Sequence, residues 1–344
     1  MRMPAVVLAS MLLASTLSAQ QPAAPAAPLP PLQPPRPMPA YPQVPRGEGF
    51  RVFIIPDMEG MASAVFNREI VAGNETGVGR SDPLAPFTHP DYWDHFRDLV
   101  TKEVNAAIAG ARRGGARSFV VNEGHGGNLF GNIFPWDLDT AALLIRGWPK
   151  PEVMSTGIDS SFGALVMTGV HAGPHTPGII AHAYAFDSII VDGHWLNETG
   201  FNALVAGEFG VPIILASGDN VAMQQAREQL GPSVITVTTK IAVGANAGVT
   251  WSPAVVRQML RDSVAEGVRR AMRGQIQPFR LAKPYQVDLV LRRSYPQRMV
   301  DAVDALAGTF PGFQRTGDHT YHYVAENARD IARLFDMIEE LALQ

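Results

Sequence analysis

Residues 51–60 read RVFIIPDMEG. A short, mostly apolar run rich in strand formers ends abruptly in Asp57 and Glu59, two carboxylates two positions apart, and Gly60 follows at once. A continuous apolar run of this length, closed by turn residues, reads as a strand buried on both faces. In extended backbone, residues i and i+2 project to the same side, so the two acids leave the strand mouth together. Unpaired, they repel and one takes up a proton, whereas a bound cation removes the conflict. For an isolated D-x-E-G the commoner explanation is one carboxylate capping a helix and the other solvated. The meaning of the pair therefore depends on what the rest of the chain brings to it.

Outward from this strand, apolar runs alternate with helical patterns in the α/β manner. Tyr92 to Arg113 reads as a helix stopped by Gly114-Gly115, and Arg117 to Asn122 as the next strand. Strands are expected at Ala164 to Thr168, Ser188 to Val191, Val211 to Ala216, Val234 to Thr238 and Tyr285 to Leu291. Helices are expected at Thr199 to Phe209, Asn220 to Leu230, Trp251 to Met272 and Ala325 to Leu343. Ser252-Pro253 suits the cap and first turn of the third of these. The last is amphipathic, with its acidic and basic residues read as facing outward.

The histidines decide how the opening acids are read. His125, in NEGHGGN, directly follows the strand ending at Asn122, and His171, in MTGVHAG, directly follows the strand ending near Thr168. Glu198, in DGHWLNETG, follows the Ser188 to Val191 strand. Open α/β sheets place ligands at the carboxyl ends of their strands. Three carboxylates and two imidazoles at or just beyond four strand ends form a mixed nitrogen and oxygen set that suits zinc, with manganese or cobalt possible.

DMEG after the first strand, NEGH after the second, then GVHAGPHTPGIIAHA and NETGFNALVAGEFGVPIILASGD together resemble the D-aminopeptidase family of dinuclear zinc metallopeptidases. The likeness runs from Arg51 to about Asp219 and continues weakly to the C-terminus. It implies that Asp57, Glu59, His125, His171 and Glu198 hold two zinc ions per chain, with Asp57 bridging. It implies a functional histidine at His182, to which an acid/base role is assigned, because metal-activated water is already a competent nucleophile. Glu123 stands where the family usually has Asp. His175 falls outside the motif and reads as a loop or substrate-rim residue, as does His194; His89 and His95 read as capping or surface residues, and His319 and His322 as packed. The implied fold is α/β: a doubly wound, mostly parallel sheet core over 48–150 and 243–344, with an inserted α+β domain over 151–242 and the site between them. The implied activity is hydrolysis of short peptides or amides with a free N-terminal D-residue, D-alanine favoured, by a homo-oligomer. Gly169, Ala172 and Gly173 around His171 are expected to let backbone close in and so favour small substrates.

The flanking chain adds location. Residues 1–20, with Arg2, an apolar stretch and small residues at Ser18 and Ala19, read as a secretory signal peptide, implying a periplasmic or secreted protein. Residues 21–47 contain eleven of the 28 prolines and read as an extended linker. The chain has no cysteine, which removes disulfides, thiolate metal sites and cysteine nucleophiles. A net charge of −4 suggests neither nucleic acid nor stable membrane insertion as a partner. Neither a G-x-S-x-G elbow nor HExxH occurs, which weakens a serine hydrolase and excludes the common helix-borne zinc protease. A non-enzymatic periplasmic solute-binding protein, or a metallohydrolase of another amide, stays open; two tightly held metals would separate the first of these from an enzyme.

Overall fold

The computed structural model describes residues 44–71, 90–126 and 130–342. The leader expected over 1–20, nearly all of the 21–47 segment and His89 lie outside the described residues. Strand β1 (Arg51–Pro56) is buried at all six positions. Its side chains alternate between two cores: Phe53 and Ile55 join one, Val52 and Ile54 the other. That two-sided burial is why the run reads as continuously apolar.

β1 is an interior strand of a seven-stranded sheet, with two strands on one side of it and four on the other. It pairs in parallel with β2 (Ser118–Asn122) on one side and with β4 (Ala164–Val170) on the other. β3 (Ala142–Ile145) extends the sheet beyond β2, and β7 (Ile213–Asp219) and β8 (Ile235–Gly244) extend it beyond β4, all in parallel; β9 (Ala247–Thr250) closes the far edge antiparallel to β8. The chain thus winds outward one way from β1 and then returns to wind out the other way. The crevice at the carboxyl ends of β1, β2 and β4 is the topological switch point of a doubly wound sheet.

One face of this sheet is covered by α1 (Pro90–Gly114) packed against a later helix, Pro253–Met272, whose Ser252 cap accepts from Ala254 N, with Pro253 in the first turn as expected. The other face carries α2 (Glu198–Glu208) and α3 (Asn220–Leu230); the Pro253–Met272 helix is α4. Beyond them lies a second, antiparallel sheet in the order β11-β12-β10-β5-β6, formed by β5 (Phe186–Val191), β6 (His194–Trp195), β10 (Tyr285–Leu291), β11 (Phe313–Gly317) and β12 (Thr320–Ala325). Helices α5 (Gln297–Ala307) and α6 (Ala328–Ala342) belong to this layer and bury Val300, Val303, Phe335 and Ile338 in the shared core.

The α/β class and the mostly parallel sheet match the expectation, but the division of the chain is corrected. Segment 151–242 does not form a separate unit, because β4, β7 and most of β8 lie within it and are strands of the parallel sheet. Conversely, 243–344 supplies β10, β11 and β12 to the antiparallel layer. The physical reason is β10: it pairs on one edge with β12 and on the other with β5, stitching residues a hundred positions apart into one sheet.

Candidate metal centre

Three loops meet at the switch point, and backbone contacts fix them to one another. Asp57 N donates to Thr168 O at 2.8 Å and Gly60 N to Gly169 O at 2.6 Å, so the turn after β1 is pinned to the end of β4. A Cβ on Gly60 would lie 1.8 Å from Val170 O, and Gly169, at φ +68°, would place one 2.1 Å from Asp57 O. Only glycine permits this approach. Gly169 thus does let backbone close in, as expected, while a Cβ on Gly173 would meet the Trp195 ring at 2.5 Å; neither these two nor Ala172 lines the cavity. Below the turn, the buried Lys240 ammonium donates to the carbonyls of Glu59, Met61 and Ala64, and Thr239 Oγ1 donates to Gly60 O at 2.5 Å. The Glu103 carboxylate accepts from Ala62 N at 3.1 Å.

Onto this frame the structure brings Asp57, Glu59, His125, His171, His182 and Glu198 together, lining one cavity of about 220 Å³. Two donor triads overlap at Asp57: Asp57, Glu59 and His125 form one, and Asp57, His171 and Glu198 the other, each with its ligand atoms within 4.8 Å of one another. A third triad joins Glu59, His171 and His182. His125 Nδ1 lies 2.9 Å from Glu59 Oε1 and 3.7 Å from Asp57 Oδ1. His171 Nε2 lies 3.5 Å from both Asp57 Oδ2 and Glu198 Oε2. His182 Nε2 lies 3.8 Å from Glu59 Oε1, and its ring stacks on that of His171 with centroids 3.9 Å apart.

Each imidazole donates its other nitrogen to a main-chain carbonyl. His125 Nε2–H reaches Ile70 O at 2.6 Å, His171 Nδ1–H reaches Ala172 O at 3.0 Å, and His182 Nδ1–H reaches Ile180 O at 2.8 Å. The tautomers of the neutral rings follow: with the other nitrogen protonated, His125 Nδ1, His171 Nε2 and His182 Nε2 carry the lone pairs and face the carboxylates, and for His125 and His171 this is the form that a bound cation selects. Glu198 opens α2 at its positive end, and its Oε1 accepts from Tyr184 N at 2.7 Å, leaving Oε2 toward His171.

Three buried carboxylates this close need positive charge. Burial, then the charge of Glu59, pushes Asp57 up to about 8. Burial works against the charged form of Glu59, but the facing His125 holds it well below the ordinary carboxylate range. His125 and His171 are each lifted to about 10: burial opposes their charged forms, and Glu59 for the first and Glu198 for the second outweigh it. His182 goes the other way, down to about 4, through burial and the charge of His171. Asp57 Oδ2 is buried with no hydrogen-bond partner, although Oδ1 accepts from Met58 N at 2.9 Å. A buried carboxylate oxygen without a hydrogen-bond partner, on the residue shared by two triads of mixed N/O donors, fits a pair of dications.

The residues outside the motif divide. His175 is exposed, at φ +59°, and faces Asp187 at 3.3 Å; His194 is exposed and His95 lies at the surface against Phe96. His322 binds Asp288 at 2.8 Å, and His319 sits in the turn before β12. Glu123 accepts from Ile133 N at 2.7 Å, so the support for His125 comes from Ile70 O instead. Sequence reasoning missed the far wall of the cavity: Phe130, Trp148, Val153, Tyr184, Arg292, Tyr295 and Glu339.

A family model described as D-aminopeptidase matches residues 50–337. The chain belongs to the D-aminopeptidase family. Its expected class, a hydrolase of the metallo-aminopeptidase kind, comes with that membership. Within the family, a D-aminopeptidase of Bacillus subtilis (strain 168) is 28% identical over 256 residues, which cover 73% of this chain and 89% of that protein. A solved structure described as the Zn-dependent D-aminopeptidase DppA from Bacillus subtilis, a self-compartmentalizing protease, has the same fold. It superposes with a TM-score of 0.69 at 24% identity, over 86% of this chain and 98% of that one.

Proposed function

We propose that this family member is an exported, zinc-dependent aminopeptidase that removes an N-terminal D-amino acid, D-alanine before bulkier residues, from short peptides or amides. The observation that carries the reading is the pair of donor triads sharing Asp57 at the switch point. Asp57, Glu59 and His125 would hold one ion, and Asp57, His171 and Glu198 the other. When bound, zinc supplies Lewis acidity toward the scissile carbonyl and acidifies water for attack.

The protein's own residues do the rest. His182 Nδ1 is committed to Ile180 O, so the bare Nε2 facing the cluster is a proton acceptor at the edge of the donor set. It takes a proton from the attacking water and returns it to the leaving amine. The cavity, at about 220 Å³, lies below the usual range for small-molecule pockets, which favours one or two small residues over a long peptide. Aromatic rings of Phe130, Trp148 and Tyr184 exclude water from the reacting centre. Export rests on the pattern of residues 1–20, and homo-oligomerisation on the description of the B. subtilis structure as self-compartmentalizing.

The test joins metal content to stereochemistry. Two zinc ions per chain, loss of activity on chelation, restoration by zinc, manganese or cobalt, and a higher kcat/KM for D-Ala-p-nitroanilide than for its L-counterpart are expected. Full activity in metal-free protein would end the metallopeptidase reading, and a preference for the L-series would end the D-aminopeptidase reading alone.

A further inference from the structure

Four carboxylates line the cavity: Asp57, Glu59, Glu198 and Glu339. The first three belong to the donor triads, and Glu339 belongs to none of them. It comes from α6, at the opposite end of the chain, and enters the cavity from the antiparallel layer. Its Oε1 is buried and has no hydrogen-bond partner. Arg292 lines the same wall but forms no ion pair with Glu339 among the described residues; its guanidinium is turned to the Tyr184 carbonyl. A buried carboxylate oxygen facing a cavity with no donor on it is costly in its charged form unless a bound group supplies the missing donor.

We propose that Glu339 is the binding residue for the α-ammonium group of the substrate. This deepens the aminopeptidase reading and rests on it. An aminopeptidase substrate brings one positive charge, attached one carbon from the scissile carbonyl. The three triad carboxylates are engaged with the metal-binding donor set, so the remaining acid in the cavity is the one left to receive that charge. A charge-assisted hydrogen bond from ammonium to Oε1 satisfies both partners. With the carbonyl at the triads and the nitrogen at Glu339, two substituents of the α-carbon are fixed. The third, the side chain, is directed by elimination toward the wall of Phe130, Trp148 and Val153. Three fixed points on one carbon are what handedness requires, so Glu339 also contributes to discrimination between D- and L-residues.

The experiment compares two hydroxamate inhibitors that differ only in the amine: D-alanine hydroxamate and propionohydroxamate. Each is measured on zinc-loaded wild-type protein and on E339Q, with zinc content determined for both. Wild type is expected to bind the amine-bearing compound about 10- to 100-fold more tightly, the range of one charged hydrogen bond. In E339Q that ratio should fall to near one, while Ki for propionohydroxamate and zinc content stay unchanged. A retained ratio would overturn the assignment, placing the amine elsewhere. An equal rise in both Ki values would also overturn it, because Glu339 would then act on the site as a whole. Failure of both compounds to inhibit wild-type protein would instead overturn the metallopeptidase reading beneath it.

Discussion

The two walls of the cavity are built by opposite means. The wall carrying the donor triads is held by main chain: loop pinned to loop through Asp57 N and Gly60 N, imidazoles oriented by carbonyls, and Lys240 gathering three more carbonyls beneath. The facing wall is side chain: Arg292 and Tyr295 from the segment after β10, Glu339 from α6, and rings from the segments around Phe130 and Trp148. Groups that must meet a metal within tenths of an ångström are tied to backbone, which cannot be exchanged by substitution. Groups that select a substrate stand on elements that can vary without moving the first set.

If that contrast is right, changes on the first wall should move metal content and changes on the second should not. The largest effect is expected from Asp57→Ala, which removes the carboxylate shared by both triads: zinc should fall from two per chain to near none, with activity lost along with it, as metal analysis and a turnover assay would show. Retention of one tightly held ion would mean that Asp57 does not bridge. His182→Ala comes next. Both ions should remain while kcat falls by about 10²- to 10⁴-fold, the usual range for a lost acid/base group. If zinc were lost from this variant, the triad of Glu59, His171 and His182 would be a genuine ligand set and the assigned role would change.

Lys240→Met tests the main-chain frame without touching a donor atom. Releasing the carbonyls of Glu59, Met61 and Ala64 should weaken zinc binding by about 10- to 100-fold, as loss of a supporting contact does elsewhere. Competition with a chelator of known affinity reads this directly, and an unchanged affinity would show that the β1–β4 backbone bonds suffice. On the second wall, Arg292→Gln should raise KM by about tenfold by weakening the charged hydrogen bond to the Tyr184 carbonyl and so loosening that wall, with zinc content unchanged. The smallest effect belongs to His175→Ala, within about twofold on every parameter, because an exposed side chain away from the cavity behaves as surface. A collapse of kcat there would return His175 to the chemistry.

The same contrast governs what the sequence discloses. β1 and β10, both short and fully patterned, have the expected bounds, and so does α3, which starts at its Asp219 cap and stops at Gly231. The first-wall residues were legible because each directly follows a strand or opens a helix, so local order along the chain announces the place in space. The half-exposed edge strand β3 and the exposed β9 lack apolar periodicity and went unread. So did α5, whose start at Pro296 has no side-chain cap to mark it. Glu339 is the instructive miss. On a helical pattern it reads as one more outward-facing acid, and only the packing of α6 over the other layer turns it inward. The division of the chain failed for a related reason: nothing in the β5 and β10 sequences states that they are neighbours.

The imidazole-to-carbonyl contacts carry a consequence for how such an enzyme can be altered. A carbonyl at position 70, 172 or 180 is present whatever amino acid the gene encodes there, so codon changes at those sites cannot delete the partner as they could delete a carboxylate. A mutational library selected for a new substrate would then find few routes that retune the basicity of the histidines. Its successful variants should gather at positions such as 148, 292, 295 and 339, so that specificity diversifies while the reactive centre is inherited intact.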